Sequence, residues 1–390
     1  MKLFVQGRRH TYTILNTKHD ASKPSVWIHC ASLGEYEQGV PVMKAIKKEF
    51  PEHQLVVTFF SPSGYEVKKN TQLADMVVYL PLDTKKNVTR FLDKVHPSMA
   101  IFVKYEVWPN YLFELKKRQI HTLLISGVFR SDQIFFSTYG SFMRKALDSF
   151  NYIFVQDKNS AAHLSEIHMS KVAISGDTRF DRVSQQIAQD NSLSFMDAFK
   201  AHSLCLVCGS TWPEDDAVLL PFINSAKDVK VVIAPHTIDT SKIEALEKRL
   251  QRPSVRYSEL AENSTNISEV QVLIIDTVGL LTKIYSYADV AYVGGAMGTT
   301  GLHNILEPAT FGVPVIIGQR YSKFPEAVRL RSLAGLYSIS NAEECSQILT
   351  KLFADAPFKD KTGMIAEHYI NSNTGATEII MEHVRHNLTQ

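Results

Sequence analysis

No stretch of this 390-residue chain approaches the roughly 20 consecutive apolar residues that a membrane-spanning helix requires. Residues 1–15 also contain no apolar run of signal-peptide length. Charge of one sign is lacking: 42 basic residues face 40 acidic ones, for a net charge of +2. That balance disfavours a nucleic-acid binder, which needs a strong positive field. Cysteine is scarce, at Cys30, Cys205, Cys208 and Cys345. Cys205 and Cys208 have C-x-x-C spacing, but they lie in an apolar run that reads as a strand, where positions three apart point to opposite faces. No second pair completes a zinc site, so small buried apolar residues in a reducing compartment are expected. There is no D-x-D, which often holds Mg²⁺ between two phosphates. There is no G-x-G-x-x-G after the first strand either, which disfavours a dinucleotide dehydrogenase.

What is present is a globular composition, 45% hydrophobic and 21% charged, and a length that favours two domains. Short apolar runs recur at 26–30, 55–59, 76–80, 99–103, 122–125 and 152–155. A second set falls at 204–208, 229–233, 272–275, 290–293 and 314–317. Such runs suit parallel strands buried on both faces. Helical patterns separate them: Val40, Met43, Ile46 and Phe50 recur at spacings of three and four, with Lys44, Lys47 and Lys48 between. The pattern predicts an α/β fold of two doubly wound, Rossmann-like domains. The expected boundaries are 1–185, a polar helical linker at 186–202, and 203–370. A last helix at 371–390 is of the kind that packs back on the first domain.

In such sheets ligands bind beyond the carboxyl ends of the strands. The loop after the first strand, 31–37, sets Glu35 at a helix start beside Ser32 and Gly34. A carboxylate fixed there can deprotonate an attacking hydroxyl, or it can simply complement the helix dipole. The loop 104–110 places Lys104, Glu106 and Trp108 together, as a polar site or as a buried Lys–Glu pair. The segment 175–181 offers Arg179 to a leaving phosphate, or to Asp177 or Asp181 as a surface pair. In the second half, Gly209 and Ser210 precede a helix for which Thr211 and Glu214 have capping-box spacing. Pro235 and His236, then 276–280, share that domain edge. The segment 294–307 reads GGAMGTTGLHNILE: its glycines allow close approach to a ligand, and Asn304 and Glu307 stand where a helix begins. The pattern points to a nucleotide-sugar site.

The order SLGE, KYEVWPN, GDTRFD, GST, DTVG, YVGG and G-x-HN-x-x-EP, over about residues 27–326, resembles the 3-deoxy-D-manno-octulosonic acid (Kdo) transferases of lipopolysaccharide assembly. The resemblance implies the GT-B architecture, with an acceptor-binding and a donor-binding domain facing a central cleft. It implies inverting transfer of Kdo from CMP-Kdo to a lipid A precursor, without metal or other cofactor. By position, Glu35 matches the general base. Glu106 and Arg179 match groups assigned to transition-state stabilisation. Pro235 and His236, then Val278, Gly279 and Leu280, then Asn304, Ile305, Leu306 and Glu307 match the CMP-binding segments, and Gly209 and Ser210 join them. Where the family often has P-R-H and G-E-L, this chain has Pro235-His236-Thr237 and Gly279-Leu280-Leu281. The resemblance further implies a peripheral place at the cytoplasmic face of the inner membrane, through the first domain. Lys44, Lys47, Lys48, Lys68 and Lys69 are candidates for touching acidic headgroups.

Overall fold

A computed structural model describes residues 2–260 and 266–388, with residues 2–6 as backbone only. The chain forms two compact units, residues 1–182 with 373–390, and residues 183–372.

Unit 1 holds a seven-stranded parallel sheet. Its strands are β1 (Ser25–Cys30), β2 (Gln54–Phe59), β3 (Met76–Tyr79), β4 (Pro97–Val103), β5 (His121–Gly127), β6 (Tyr152–Val155) and β7 (Val172–Ile174). Their spatial order is β3-β2-β1-β4-β5-β6-β7. The winding direction reverses between β1 and β4, so the loops after these two strands diverge and leave room beyond their ends. Side-chain alternation sends Trp27, Phe102 and their row to one face and Val26, Ile28 and Cys30 to the other. On the first face Trp27 lies edge-on to Phe91 and Phe102, with centroids 5.0 and 5.1 Å away. The helix Leu33–Glu49 covers the other face with Val40, Met43 and Ile46, as its periodicity predicts.

Unit 2 repeats the plan. Its strands are β8 (Leu204–Thr211), β9 (Val229–Pro235), β10 (Ser254–Arg256), β11 (Val272–Ile274), β12 (Val290–Val293), β13 (Val315–Gly318) and β14 (Leu336–Ile339). They lie in the order β10-β11-β9-β8-β12-β13-β14, with the reversal between β8 and β12. The short run 172–174 is β7, and the two strands the apolar runs did not announce, β10 and β14, are both sheet edges. An edge strand is covered less completely and needs fewer apolar residues. The stretch 186–202 carries the helix Ser194–Lys200, whose Met196 and Phe199 are buried and whose Lys200 pairs with Asp289 at 3.0 Å. It is folded into unit 2 by the apolar residues of this helix. Cys205, Cys208, Cys345 and Cys30 are buried free thiols.

The expected last helix is Ala376–Leu388, parted from the preceding helix Ala356–Asn371 by Gly375 at φ 106°. It belongs to unit 1, where Ile380, Met381 and Val384 join the core beneath the helix Leu33–Glu49. Asp181 accepts from the Gly375 and Thr377 N–H groups and from the Thr377 hydroxyl, each at 2.6 Å. It thereby satisfies amides that a helix start leaves open.

This docking carries a pH dependence. His121 Nε2 and His383 Nε2 lie 3.0 Å apart, so one nitrogen must accept without a proton. Burial, then the neighbouring His383 and Lys171, push His121 down to about 4 from its ordinary 6.5. Burial, then His386, lowers His383. The folded state therefore binds fewer protons than the unfolded chain between these values. The contribution is fully present above pH 6.5 and is lost as pH falls through about 4. Urea-unfolding midpoints measured across that window should fall with acidification, and His121→Phe should flatten the slope.

Candidate active site

In unit 1 the helix Leu33–Glu49 is capped by Ser32 in a capping box with Glu35. Glu35 Oε2 accepts the Ser32 N–H at 3.0 Å and also the Ser32 hydroxyl. Its other oxygen lies 3.6 Å from Lys104 Nζ, and the residue is only 7% exposed. The capping reading of Glu35 is therefore physically real, at about 1 kcal/mol, and it also fixes the carboxylate in place. Lys104 sits at φ 75°, a left-handed conformation that costs a non-glycine residue about 1–3 kcal/mol. Its N–H still bonds Ile125 O at 2.8 Å, so the sheet holds it there.

Lys104 pairs with Glu35 and not with Glu106, which corrects one reading of this loop. Glu106 Oε2 instead accepts from Trp108 Nε1 at 2.9 Å and lies 3.5 Å from His29 Nε2. Arg179 donates from Nε to Asp177 Oδ2 at 2.8 Å, the Arg–Asp pairing weighed above but with a buried carboxylate, and its N–H bonds Oδ1 at 2.9 Å. Asp177 also receives Gln38 Nε2 at 3.3 Å. Gln38 lies one turn beyond Glu35, so one helix carries both the Glu35–Lys104 and the Gln38–Asp177–Arg179 contacts. Of the candidate lipid-facing lysines, Lys68 pairs with Glu37 at 3.1 Å and Lys69 with Glu66 at 2.7 Å.

In unit 2 a Cβ at Gly209 would stand 1.9 Å from the Tyr285 hydroxyl, so only glycine fits there. Ser210 follows at φ 54°. β8 runs on to Thr211, which displaces the expected Thr211–Glu214 cap by one residue: the helix Pro213–Ser225 starts after Trp212, and Asp215 accepts the Trp212 N–H at 2.9 Å. Pro235 ends β9, and His236 stacks on Trp212 with centroids 4.7 Å apart. His303 lies 4.3 Å from His236 and accepts from Trp212 Nε1 at 3.3 Å. Burial, then His236, pushes His303 down to about 4, and burial lowers His236. Neither imidazole supplies a positive charge near neutral pH.

The 278–280 turn is open. Val278 is 84% exposed, and Gly279 has φ 94° with nothing near its missing Cβ. Leu280 starts the one-turn helix Leu281–Ile284. Thr282 in that helix donates to Glu307 Oε2 at 3.2 Å, and Asn304 Nδ2 donates to Oε1 at 3.1 Å. These bonds bring the 280 turn to the 304–307 segment. Ile305 and Leu306 are buried, so only their backbone can meet a ligand. The helix after Asn304 is a single turn, Leu306–Ala309, because Gly312 and the buried Val313 end it.

Sequence reading missed Asp215, His29 and Thr282. Asp215 is fully buried. It accepts from Tyr292 Oη at 2.8 Å, Gly295 N–H at 2.8 Å and Trp212 N–H. A Cβ on Gly294 would fall 2.3 Å from Ser210 O and 2.8 Å from Asp215 Oδ2. Asp215 thus pins the glycine-rich loop to the start of the helix Pro213–Ser225. An acidic residue three places into a helix after Trp-Pro was the available signal.

Two doubly wound units with polar loops gathered at the reversals of both sheets define the GT-B class of α/β proteins. A solved UDP-GlcNAc 2-epimerase from Neisseria meningitidis, bound to UDP-GlcNAc, shares this fold. Its TM-score is 0.65 at 15% identity, covering 92% of this chain and 98% of that one. Residues 6–182 match the family described as 3-Deoxy-D-manno-octulosonic-acid transferase (kdotransferase). A 3-deoxy-D-manno-octulosonic acid transferase from Chlamydophila psittaci is 28% identical over 333 residues, 81% of this chain and 76% of that protein. A bifunctional glycosyltransferase/methyltransferase from Fusobacterium nucleatum is 27% identical over 331 residues, and the chain spans 51% of its length. The first unit thus matches the Kdo transferase family model, and the whole chain is similar at 24–28% identity to transferases of that name.

Asp215→Asn tests the pin directly. With the amide nitrogen toward Tyr292 Oη, that hydroxyl must turn to accept, which leaves its own proton and one amide N–H unmet in the core. A loss of about 2–3 kcal/mol in urea unfolding is expected.

Proposed function

We propose that this chain transfers Kdo from CMP-Kdo to a lipid A precursor in lipopolysaccharide biosynthesis, with Glu35 as general base. The observation that carries the reading is the family match over residues 6–182, which takes in Glu35, Glu106 and Arg179. The held, largely buried Glu35 carboxylate suits the role. Glu35 removes the proton of the acceptor hydroxyl as its oxygen bonds the anomeric carbon of Kdo. The bond from that carbon to the CMP phosphate breaks with inversion, and CMP leaves with the electron pair. Lys104 compensates the Glu35 charge in the resting enzyme. Arg179 and Glu106 stabilise charge that shifts between the sugar ring and the departing phosphate. Unit 2 binds the donor: Asn304 and Glu307 take the ribose hydroxyls, and the backbone of 209–210, 235–236, 278–280 and 305–306 takes the nucleotide. A single phosphate needs no bridging Mg²⁺, so the reaction is proposed to run without metal or other cofactor.

The proposed workplace is the cytoplasmic membrane face, engaged by unit 1. Among the described residues no helix is long and apolar enough to cross a membrane. Ile134, Tyr139 and Phe142 are 43, 78 and 59% exposed beside the basic residues Arg130 and Lys145. Replacing both Tyr139 and Phe142 by Ser should weaken sedimentation with anionic vesicles by about tenfold.

The decisive assay incubates the protein with CMP-Kdo and a lipid A precursor and weighs the lipid by mass spectrometry. Mass gain by wild type, unaffected by EDTA, is expected, and its absence refutes the reading. Glu35→Gln should keep CMP binding and lose transfer by about 10²–10⁴-fold; near-wild-type transfer removes Glu35 as base. The epimerase-like fold gives a second reading, another GT-B transferase or a nucleotide-sugar epimerase. Thermal stabilisation by UDP or GDP but not by CMP would favour it.

A further inference from the structure

We propose that His29 is a positioning residue: anchored by Thr58 beneath the 104–108 loop, it accepts the Trp108 indole N–H and so holds the Glu106 carboxylate in its working orientation. This rests on the reading of Glu106 given above.

His29 is fully buried near the carboxyl end of β1. In register it pairs with Thr58 on β2 and Phe102 on β4, so these three form one row on the same face. Its Nδ1 lies 2.9 Å from Thr58 Oγ1, and its Nε2 lies 3.1 Å from Trp108 Nε1. The ring sits edge-on to Phe102 and Trp108, with centroids 5.7 and 6.1 Å away. Such packing on two sides leaves the imidazole little freedom to turn.

The protons can be counted. An indole N–H only donates. Trp27 Nε1 gives its proton to Thr58 Oγ1 at 2.8 Å. Trp108 Nε1 has one proton and two acceptors, Glu106 Oε2 at 2.9 Å and His29 Nε2 at 3.1 Å. The Trp108–Nε2 bond requires a bare Nε2, and so the tautomer with its proton on Nδ1, donated to Thr58; the other tautomer would aim Nε2–H at Glu106 Oε2, 3.5 Å away.

The shared indole proton couples the two acceptors. When Glu106 turns toward a substrate, His29 keeps the Trp108 N–H satisfied and the ring in place. Without that second acceptor the indole would follow the carboxylate, and the loop would lose its fixed geometry. Displacements of about 1 Å can cost about 10²-fold in rate. No contact between His29 and substrate is invoked.

The test uses the full-length protein with His29→Phe, His29→Gln and Thr58→Val, and two readouts. The first is the Trp108 indole N–H signal in ¹⁵N-tryptophan-labelled protein, one of three such signals and assigned through Trp108→Phe. The second is steady-state Kdo transfer. His29→Phe should shift the indole signal and lower kcat by about tenfold or more, with KM for CMP-Kdo unchanged within about twofold. His29→Gln, whose side-chain oxygen can accept the indole proton, should recover most of both. Thr58→Val should move both readouts as His29→Phe does, by less, and it decides the matter if His29→Phe does not fold. An unmoved indole signal in His29→Phe, or equal damage in His29→Gln, overturns the proposal. If the indole responds as described while wild type transfers no Kdo, the positioning stands and the functional reading falls.

Discussion

Everything polar in this protein is governed by one constraint: both sheets are parallel and covered on both faces. Strands so placed are apolar along their length, and their connections must cross back through helices. Charged groups are thereby driven to the strand ends. The reversal of winding, between β1 and β4 in unit 1 and between β8 and β12 in unit 2, then selects which ends lie open. Glu35 follows β1, Lys104 and Glu106 follow β4, Ser210 and Thr211 end β8, and the glycine-rich loop follows β12. In each unit by itself, the candidate residues occupy the places where the sheet architecture leaves loops apart.

At those ends, structural and chemical uses of one group coincide. Glu35 completes a helix cap and faces an ammonium. Asp215 begins a helix and also pins the backbone at Gly295. Asp181, inside one helix, holds the start of another. A carboxylate that already accepts two or three bonds has lost its rotational freedom before any ligand arrives. That is preorganisation obtained from capping, and it explains why a helix-dipole reading and a catalytic reading of Glu35 do not exclude each other.

How much of this was legible depends on the range of the interaction. Both sheets could be read because buried parallel strands leave continuous apolar runs, and the helix after β1 because Val40, Met43, Ile46 and Phe50 keep helical period. Glu35 and the 304–307 segment could be read because the groups that place them are local: Ser32 is three residues from Glu35, and Asn304 three from Glu307. The edge strands β10 and β14 escaped because partial cover relaxes their composition. His29 escaped because its partners Thr58 and Trp108 are 29 and 79 residues away. The same holds for Thr282 and Glu307, 25 residues apart, and for Asp215 and Gly295, 80 apart. No periodicity encodes such pairs; parallel register creates them.

The departures at 236 and 280 acquire a physical meaning once the loops of unit 2 are seen as packed objects. His236 is held between Trp212 and His303, and burial keeps that stack uncharged near neutral pH. A guanidinium at 236 would bring a charge into this aromatic stack, whereas a neutral imidazole extends it. Leu280 begins a turn whose next residue but one, Thr282, fastens Glu307. The polar work at this edge thus passes from side chains at 236 and 280 to backbone amides and to the Asn304–Glu307–Thr282 set. Under the proposed donor binding, a nucleotide held by these groups would be recognised by shape and hydrogen bonds more than by charge. Discrimination then comes from what the buried acceptors would lose if left unpaired.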